Sequence, residues 1–404
     1  MNDGKTPKYA WFDEIEKLRG FGILAVICIH VTANYIQVRK VDLLNISVMT
    51  LRMLSDFAIP LFIFISGLVL SIRYYPDLPI KRFLTKRLRV VLVPYLVFSL
   101  FYLNILGIII QVIRHLLMGS ALTFSWVRDR FITTLTSSGN LSDILLFDPK
   151  YHLWFIALIL QFYLVYPLLI KVYGHFEERR RMPLFFFTSF ILIITWEWHI
   201  KPLFASHLGA HPAKLAFVTY LIYFIVGIFA GRNKRILEAK LGSSNWGGMA
   251  CIIISTSIIR AAIPVFNYLL LKNAIDPGLQ YVQIFGMISN LSLHWFWLIK
   301  TIHNIAMIFL LYRLALTLRG EDNLLGRTLT ALGRFSFGIY LVHVAFMDMM
   351  LVLLKHFSID LKNAYFYLIL FISTSFFSYC SVALLSLLPK SEYLLGRKPA
   401  KTVK

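Results

Sequence analysis

Residues 18–35 read LRGFGILAVICIHVTANY, an apolar run whose only basic side chains are Arg19 and His30. The two stand eleven positions apart. At ~100° per residue that separation turns through ~1100°, about 20° past three full turns, so one helix face carries both. At ~1.5 Å rise per residue they lie roughly 16 Å apart along the axis. Arg19 opens the run and so sits at a membrane surface. His30 then lies about halfway across a hydrocarbon layer ~30 Å thick. A polar group at that depth is expensive and is by default a functional-site candidate. A surface cation and an imidazole half a membrane deeper, on one face, point to a long anionic ligand whose reactive end reaches inward.

The rest of the chain is of the same kind. Of its 404 residues, 58% are hydrophobic and 15% charged, and the mean hydropathy is +0.71. Soluble domains carry about 25% charged residues. This composition describes an all-α polytopic transmembrane bundle. We read ten spans, at about 19–38, 49–72, 90–114, 152–173, 183–200, 214–231, 246–271, 293–318, 331–354 and 363–388. Each is near the ~20 residues a spanning helix needs. They form one membrane domain over 1–404, with spans from about 19 to 388 and no soluble C-terminal domain before Lys404. The N-terminal run lacks a small-residue cleavage site and is not read as a signal peptide.

The net charge of +21 comes from short basic clusters between apolar runs, such as Arg73, Lys81, Arg82, Lys86, Arg87 and Arg89. That is charge that sets topology, not a nucleic-acid footprint. The clusters favour alternate connections, which places both termini in the cytoplasm. The longest connection, about 115–151, is then outside; it holds Trp126, Phe131 and a Ser/Thr-rich piece from Thr133 to Ser138. Cys28, Cys251 and Cys380 lie in apolar runs without paired spacing, so neither a disulfide framework nor a metal site is expected.

Several residues carry candidate chemistry. His30 suits a general base, with a pKa naturally near neutrality, able to take a proton from a hydroxyl attacking a thioester. The plainer reading is a hydrogen bond to a neighbouring helix. Arg19 is either a snorkelling anchor or a bidentate phosphate ligand. In the second span, Pro60 kinks or unwinds the helix, and Ser66 and Gly67 allow close helix approach. Asp56 is read as an ion-pair anchor with Arg52, one turn away. Lys86, Arg87 and Arg89 either hold a nucleotide phosphate or are positive-inside charge. His152 and Trp154 stand where an outer acceptor would arrive, or anchor an interface. His343 lies midway through the ninth span, lining the same cavity as His30 or orienting a partner. Glu197 and Lys300 are expected to face a water-filled vestibule. Arg260 is deep enough to need a partner that the sequence does not name.

In family terms, Arg19, ten residues and then His30 resemble the first helix of the acyltransferase 3 family of membrane proteins. Phe64, Ser66 and Gly67 approximate its aromatic, Phe-x-x-Ser-Gly second span. Pro94 and Tyr95 match its Pro-Tyr, and Lys86 with Arg89 has the spacing of its Arg-x-x-Arg with Lys for Arg. His152, Leu153, Trp154 and Phe155 resemble its fourth span. Ser336, Gly338, Ile339, Tyr340, Leu341 and His343 match its C-terminal signature, the most specific string here. The resemblance covers about 12–389. It implies an O-acyltransferase of the plasma membrane that takes acyl groups from acyl-CoA, with acetyl-CoA the expected donor. The acceptor would be a saccharide or lipid-linked saccharide, with partners from envelope biosynthesis. It makes His30 catalytic; Arg19, Lys86, Arg87 and Arg89 donor-binding; and His152, Trp154, Tyr340 and His343 acceptor-binding or supporting. No metal is required. The alternative class is a transporter or flippase for a polysaccharide intermediate.

Overall fold

Where the expected spans fall on described residues, they are largely helical. The computed structural model describes residues 13–33, 43–119, 123, 125, 128–129, 132, 138–203, 217–243, 246–271, 281–320, 323–359 and 364–396. Trp126, Phe131 and Thr133 lie outside the described residues. The helices are α1 Asp13–Ala33, α2 Leu43–Ser55, α3 Ala58–Tyr74, α4 Ile80–Leu100, α5 Leu106–Met118, α6 Ser138–Leu145, α7 Trp154–Glu178 and α8 Met182–Thr195. They continue with α9 Phe217–Arg232, α10 Lys234–Ser243, α11 Trp246–Leu271, α12 Tyr281–Thr317, α13 Leu324–His356, α14 Ala364–Leu385 and α15 Glu392–Leu395. Two five-residue π turns, Phe101–Ile105 and Trp196–Ile200, continue α4 and α8.

Seven stretches are long and apolar enough to cross a membrane, from Ser47–Tyr74 to Ala364–Leu385, and Phe217–Arg232 and Trp246–Arg260 are shorter apolar helices. The chain is thus an all-α, multi-pass membrane protein. The first expected span stands apart for a chemical reason: α1 opens with Asp13, Glu14 and Glu16. Carboxylates suit a helix N-terminus, where the backbone dipole is positive, but they raise the polarity of the helix.

The chain divides into two compact units. The first comprises residues 1–72, 187–209 and 218–329. In it α1 packs on α2 and α12, α11 on α12 and α2, and α10 on α12. Leu18, Ile23, Phe64, Phe224 and Tyr312 are wholly enclosed. Glycines bring α3 and α9 backbone to backbone: a Cβ on Gly67 would strike the Phe224 carbonyl, and one on Gly227 the Phe64 carbonyl. Such close crossings suit a bilayer, where dispersion between helices replaces a hydrophobic drive.

Pro60 sets the break between α2 and α3. A proline ring collides with the carbonyl four residues earlier, here Asp56, and the chain leaves the helix at Asp56 and Phe57. Pro60 itself falls in the first turn of α3, where its missing N–H costs nothing. The expected kink is therefore a break, placed one turn before the proline.

The second unit comprises residues 73–186, 210–217 and 330–404. There α4 packs on α7 and α15. Its centre is aromatic: Phe83 lies 5.2 Å from Tyr74 and 5.5 Å from Tyr166 between ring centres. The Tyr95 hydroxyl donates to the Ile144 carbonyl at 2.6 Å, tying α6 to α4.

Candidate functional site

In the first unit α1 is an uninterrupted helix, so the spacing of Arg19 and His30 has its helical meaning. Most of α1 is buried against its neighbours, but Arg19 and His30 are only half-buried. Arg19 donates to Glu16 at 3.1 Å and keeps 22% of its side chain exposed.

Around the same end of α1 lies a network of buried charge. Glu14, fully enclosed, receives Lys234 and Arg319, each at 2.9 Å. Glu238 takes Arg319 and Lys234 at 3.3 Å, and the Tyr312 hydroxyl at 3.2 Å. Burial works against the charge on Arg319, but Glu14 and Glu238 outweigh it and hold its pKa above the ordinary value. Lys234 and Arg319, which read as topology charge, are thus also bolts between α1, α10 and the end of α12.

Further along the same unit, the break before Pro60 leaves Asp56 half-exposed, its N–H donating to the Met53 carbonyl at 3.3 Å. Arg260 from α11 meets both. Its guanidinium donates to Asp56 at 2.5 Å and to the Met53 carbonyl at 3.2 Å. Lys300 from α12 reaches the same Asp56 oxygen at 3.3 Å. The expected Arg52–Asp56 pair is corrected: Arg260 and Lys300 hold Asp56. One turn on, His303 bonds Thr256 at 2.9 Å, and Asn304 donates to the Tyr223 hydroxyl at 3.2 Å. Lys300, expected in a vestibule, is half-exposed beside Asp56. Glu197 is 93% buried: it accepts from Thr219, and from Lys201 at 2.9 Å.

In the second unit, the α4 cations divide. Lys86 and Arg89, with Lys81, Arg82, Thr85 and Pro79, line a shallow groove of about 750 Å³. Arg89 is steadied by the Tyr393 hydroxyl at 2.6 Å. Arg87 does not line this groove. It lies over the rings of Tyr74, Phe83 and Tyr163, at 5.9, 5.8 and 5.4 Å, a cation–π position that suits a guanidinium. The three cations thus stand in different surroundings.

His152, Tyr340 and His343 come together. The Tyr340 hydroxyl donates to the His152 carbonyl at 2.5 Å. The His152 and His343 rings stand 5.2 Å apart, edge to face, and Tyr102 closes on His152 at 5.0 Å. His343 Nδ1 contacts the Tyr340 carbonyl at 2.7 Å. His152 is 1% exposed and His343 fully enclosed, so these rings form a packed aromatic joint. Trp154 is half-exposed at the first position of α7. Lys150 and Asp348 pair at 2.7 Å in the same unit.

The apolar helices define the class, a multi-pass helical membrane protein. The chain belongs to the family described as Acyltransferase domain (Acyl_transf_3), which matches residues 12–383. It is also 25% identical over 349 residues to the "Putative membrane-bound acyltransferase YfiQ" of Bacillus subtilis (strain 168), covering 84% of this chain and 82% of that protein. No solved structure matches the chain. The protein is a membrane acyltransferase.

Proposed function

We propose that this acyltransferase moves an acetyl group from acetyl-CoA at the cytoplasmic face of the plasma membrane to a hydroxyl of a cell-surface or exported saccharide. The observation that carries the reading is α1, one unbroken helix with Arg19 and His30 half-exposed on the same face. Arg19 binds a CoA phosphate, and roughly 16 Å of helix separates it from His30, a length suited to an extended pantetheine arm. Lys86, Arg87 and Arg89 are the further donor-binding candidates. Of these, Lys86 and Arg89 border the basic groove.

The chemistry needs one base. The acceptor hydroxyl attacks the thioester carbonyl while His30 takes its proton. The tetrahedral intermediate collapses, the C–S bond breaks and the ester forms. His30 returns the proton to the departing thiolate, leaving CoA as the free thiol. A thioester is already activated, so positioning and this proton transfer are the main demands.

Binding of radiolabelled acetyl-CoA to the purified protein tests the donor. The wild type should bind. Arg19→Ala should bind at least tenfold more weakly, and Arg19→Lys should recover part, since a point charge replaces a planar fork. Unchanged affinity in Arg19→Ala would leave Arg19 as a membrane anchor. A wild type that does not bind acetyl-CoA would overturn acetyl-CoA as the donor.

A further inference from the structure

Among the described residues, the Asp56 cluster has a charge left over. Asp56 carries one negative charge and is met by two cations, Arg260 at 2.5 Å and Lys300 at 3.3 Å. Arg260 is 1% exposed, whereas Lys300 and Asp56 keep 38% and 23% of their side chains exposed. The fixed cation is therefore enclosed, and the second is part-exposed. Beside them are buried groups with unused capacity. His303 is fully enclosed, its Nδ1 engaged by Thr256, and its Nε2 has no hydrogen-bond partner among the described residues. The same holds for Arg260 Nε and the Asn304 side-chain oxygen. Unsatisfied buried polar atoms are costly and call for an explanation.

The place of this cluster is equally specific. α1 packs on α2 with Cys28 facing Ser55, next to Asp56. Cys28 is two positions from His30 and nine from Arg19. The cluster thus lies within the first unit at the level of His30, remote from the Arg19 end of α1. No function described above uses it.

We propose that Arg260 and Lys300 form the acceptor subsite of this enzyme, and that it takes an anionic saccharide, through a carboxylate or phosphate on the sugar that bears the reacting hydroxyl. This rests on the acyltransferase reading of His30 and names the acceptor class for it. The acceptor's anion neutralises the surplus positive charge and is held most strongly by Lys300, the more exposed of the two cations. Charge-assisted hydrogen bonds of this kind are about twice as strong as neutral ones. Asp56 keeps the two cations together when no acceptor is bound.

The test uses the full-length purified protein in nanodiscs and three probes: an oligoglucuronate, glucose 1-phosphate and a neutral oligoglucose. Equilibrium binding is measured without donor, and ester formation with acetyl-CoA. At least one anionic probe should bind tenfold or more tightly than the neutral one, and which one does so identifies the anion. Lys300→Met keeps the length of the side chain without its charge. It should raise the KM for that probe about tenfold while leaving kcat and binding of the neutral probe as they were. Lys300→Arg should restore the preference. Equal binding of neutral and anionic probes, or equal loss for both in Lys300→Met, would overturn the subsite. Anion-selective binding that depends on Lys300, with no ester formed from acetyl-CoA, would uphold the subsite and overturn the acetyl-CoA reading instead.

Discussion

At the residue scale the two mid-helix histidines differ in surroundings. His343 is fully enclosed among His152 and Tyr340, with Nδ1 against a carbonyl. His30 is half-buried on an open face of α1. A base must reach a substrate proton, so accessibility favours His30. His30→Ala should lower acetyl transfer by the ~10²–10⁴ typical of losing a general base and leave acetyl-CoA binding intact. His343→Ala should retain measurable turnover but melt at lower temperature, because it opens a cavity in a packed joint. Both quantities are read on purified variants. An inactive His343→Ala beside an active His30→Ala would reverse the roles. In the sequence each is a histidine deep in a span. What the fold adds is the set of rings around His343, from Tyr340 on the same helix and from His152 far back in the chain.

At the element scale, two local sequence signals decide much of the packing. Pro60 interrupts the second span and creates the bend that receives Arg260. Gly67 and Gly227 let α3 and α9 touch along their backbones. A Cβ at Gly227 would meet the Phe64 carbonyl oxygen, a backbone atom that cannot rotate away. Gly227→Ala should therefore destabilise the protein by about 1–3 kcal/mol, the range for overpacking a tight site, read as a lower unfolding temperature in detergent. Gly248→Ala is the control: a Cβ there meets nothing within 4 Å, and alanine is the better helix former. If Gly227→Ala matched the control, the close crossing would carry no stability. The expectation that Gly67 serves close packing could be read from the sequence, but its partner could not. Glycine permits an approach without specifying what approaches.

At the scale of the whole molecule, the pattern of basic connections predicts both termini in the cytoplasm and the 115–151 connection outside. An impermeant thiol reagent added to intact cells of a cysteine-free background should label Ser138→Cys and not Arg235→Cys; labelling only at 235 would invert the topology. The sequence alone determines the helical class, the multi-pass membrane character and the shared face of Arg19 and His30. Those depend on periodicity and transfer free energy, which are local properties of a chain in lipid. It also carries the family motifs. Tertiary structure decides which charges neutralise which. Asp56 has Arg52 one turn away, yet the enclosed Arg260, 204 residues along the chain, holds it. Arg260 is far inside an apolar bundle, where leaving a charge unpaired is costlier than at any surface. Arg87 likewise leaves its basic neighbours, because Tyr74, Phe83 and Tyr163 offer it ring faces that only the fold assembles.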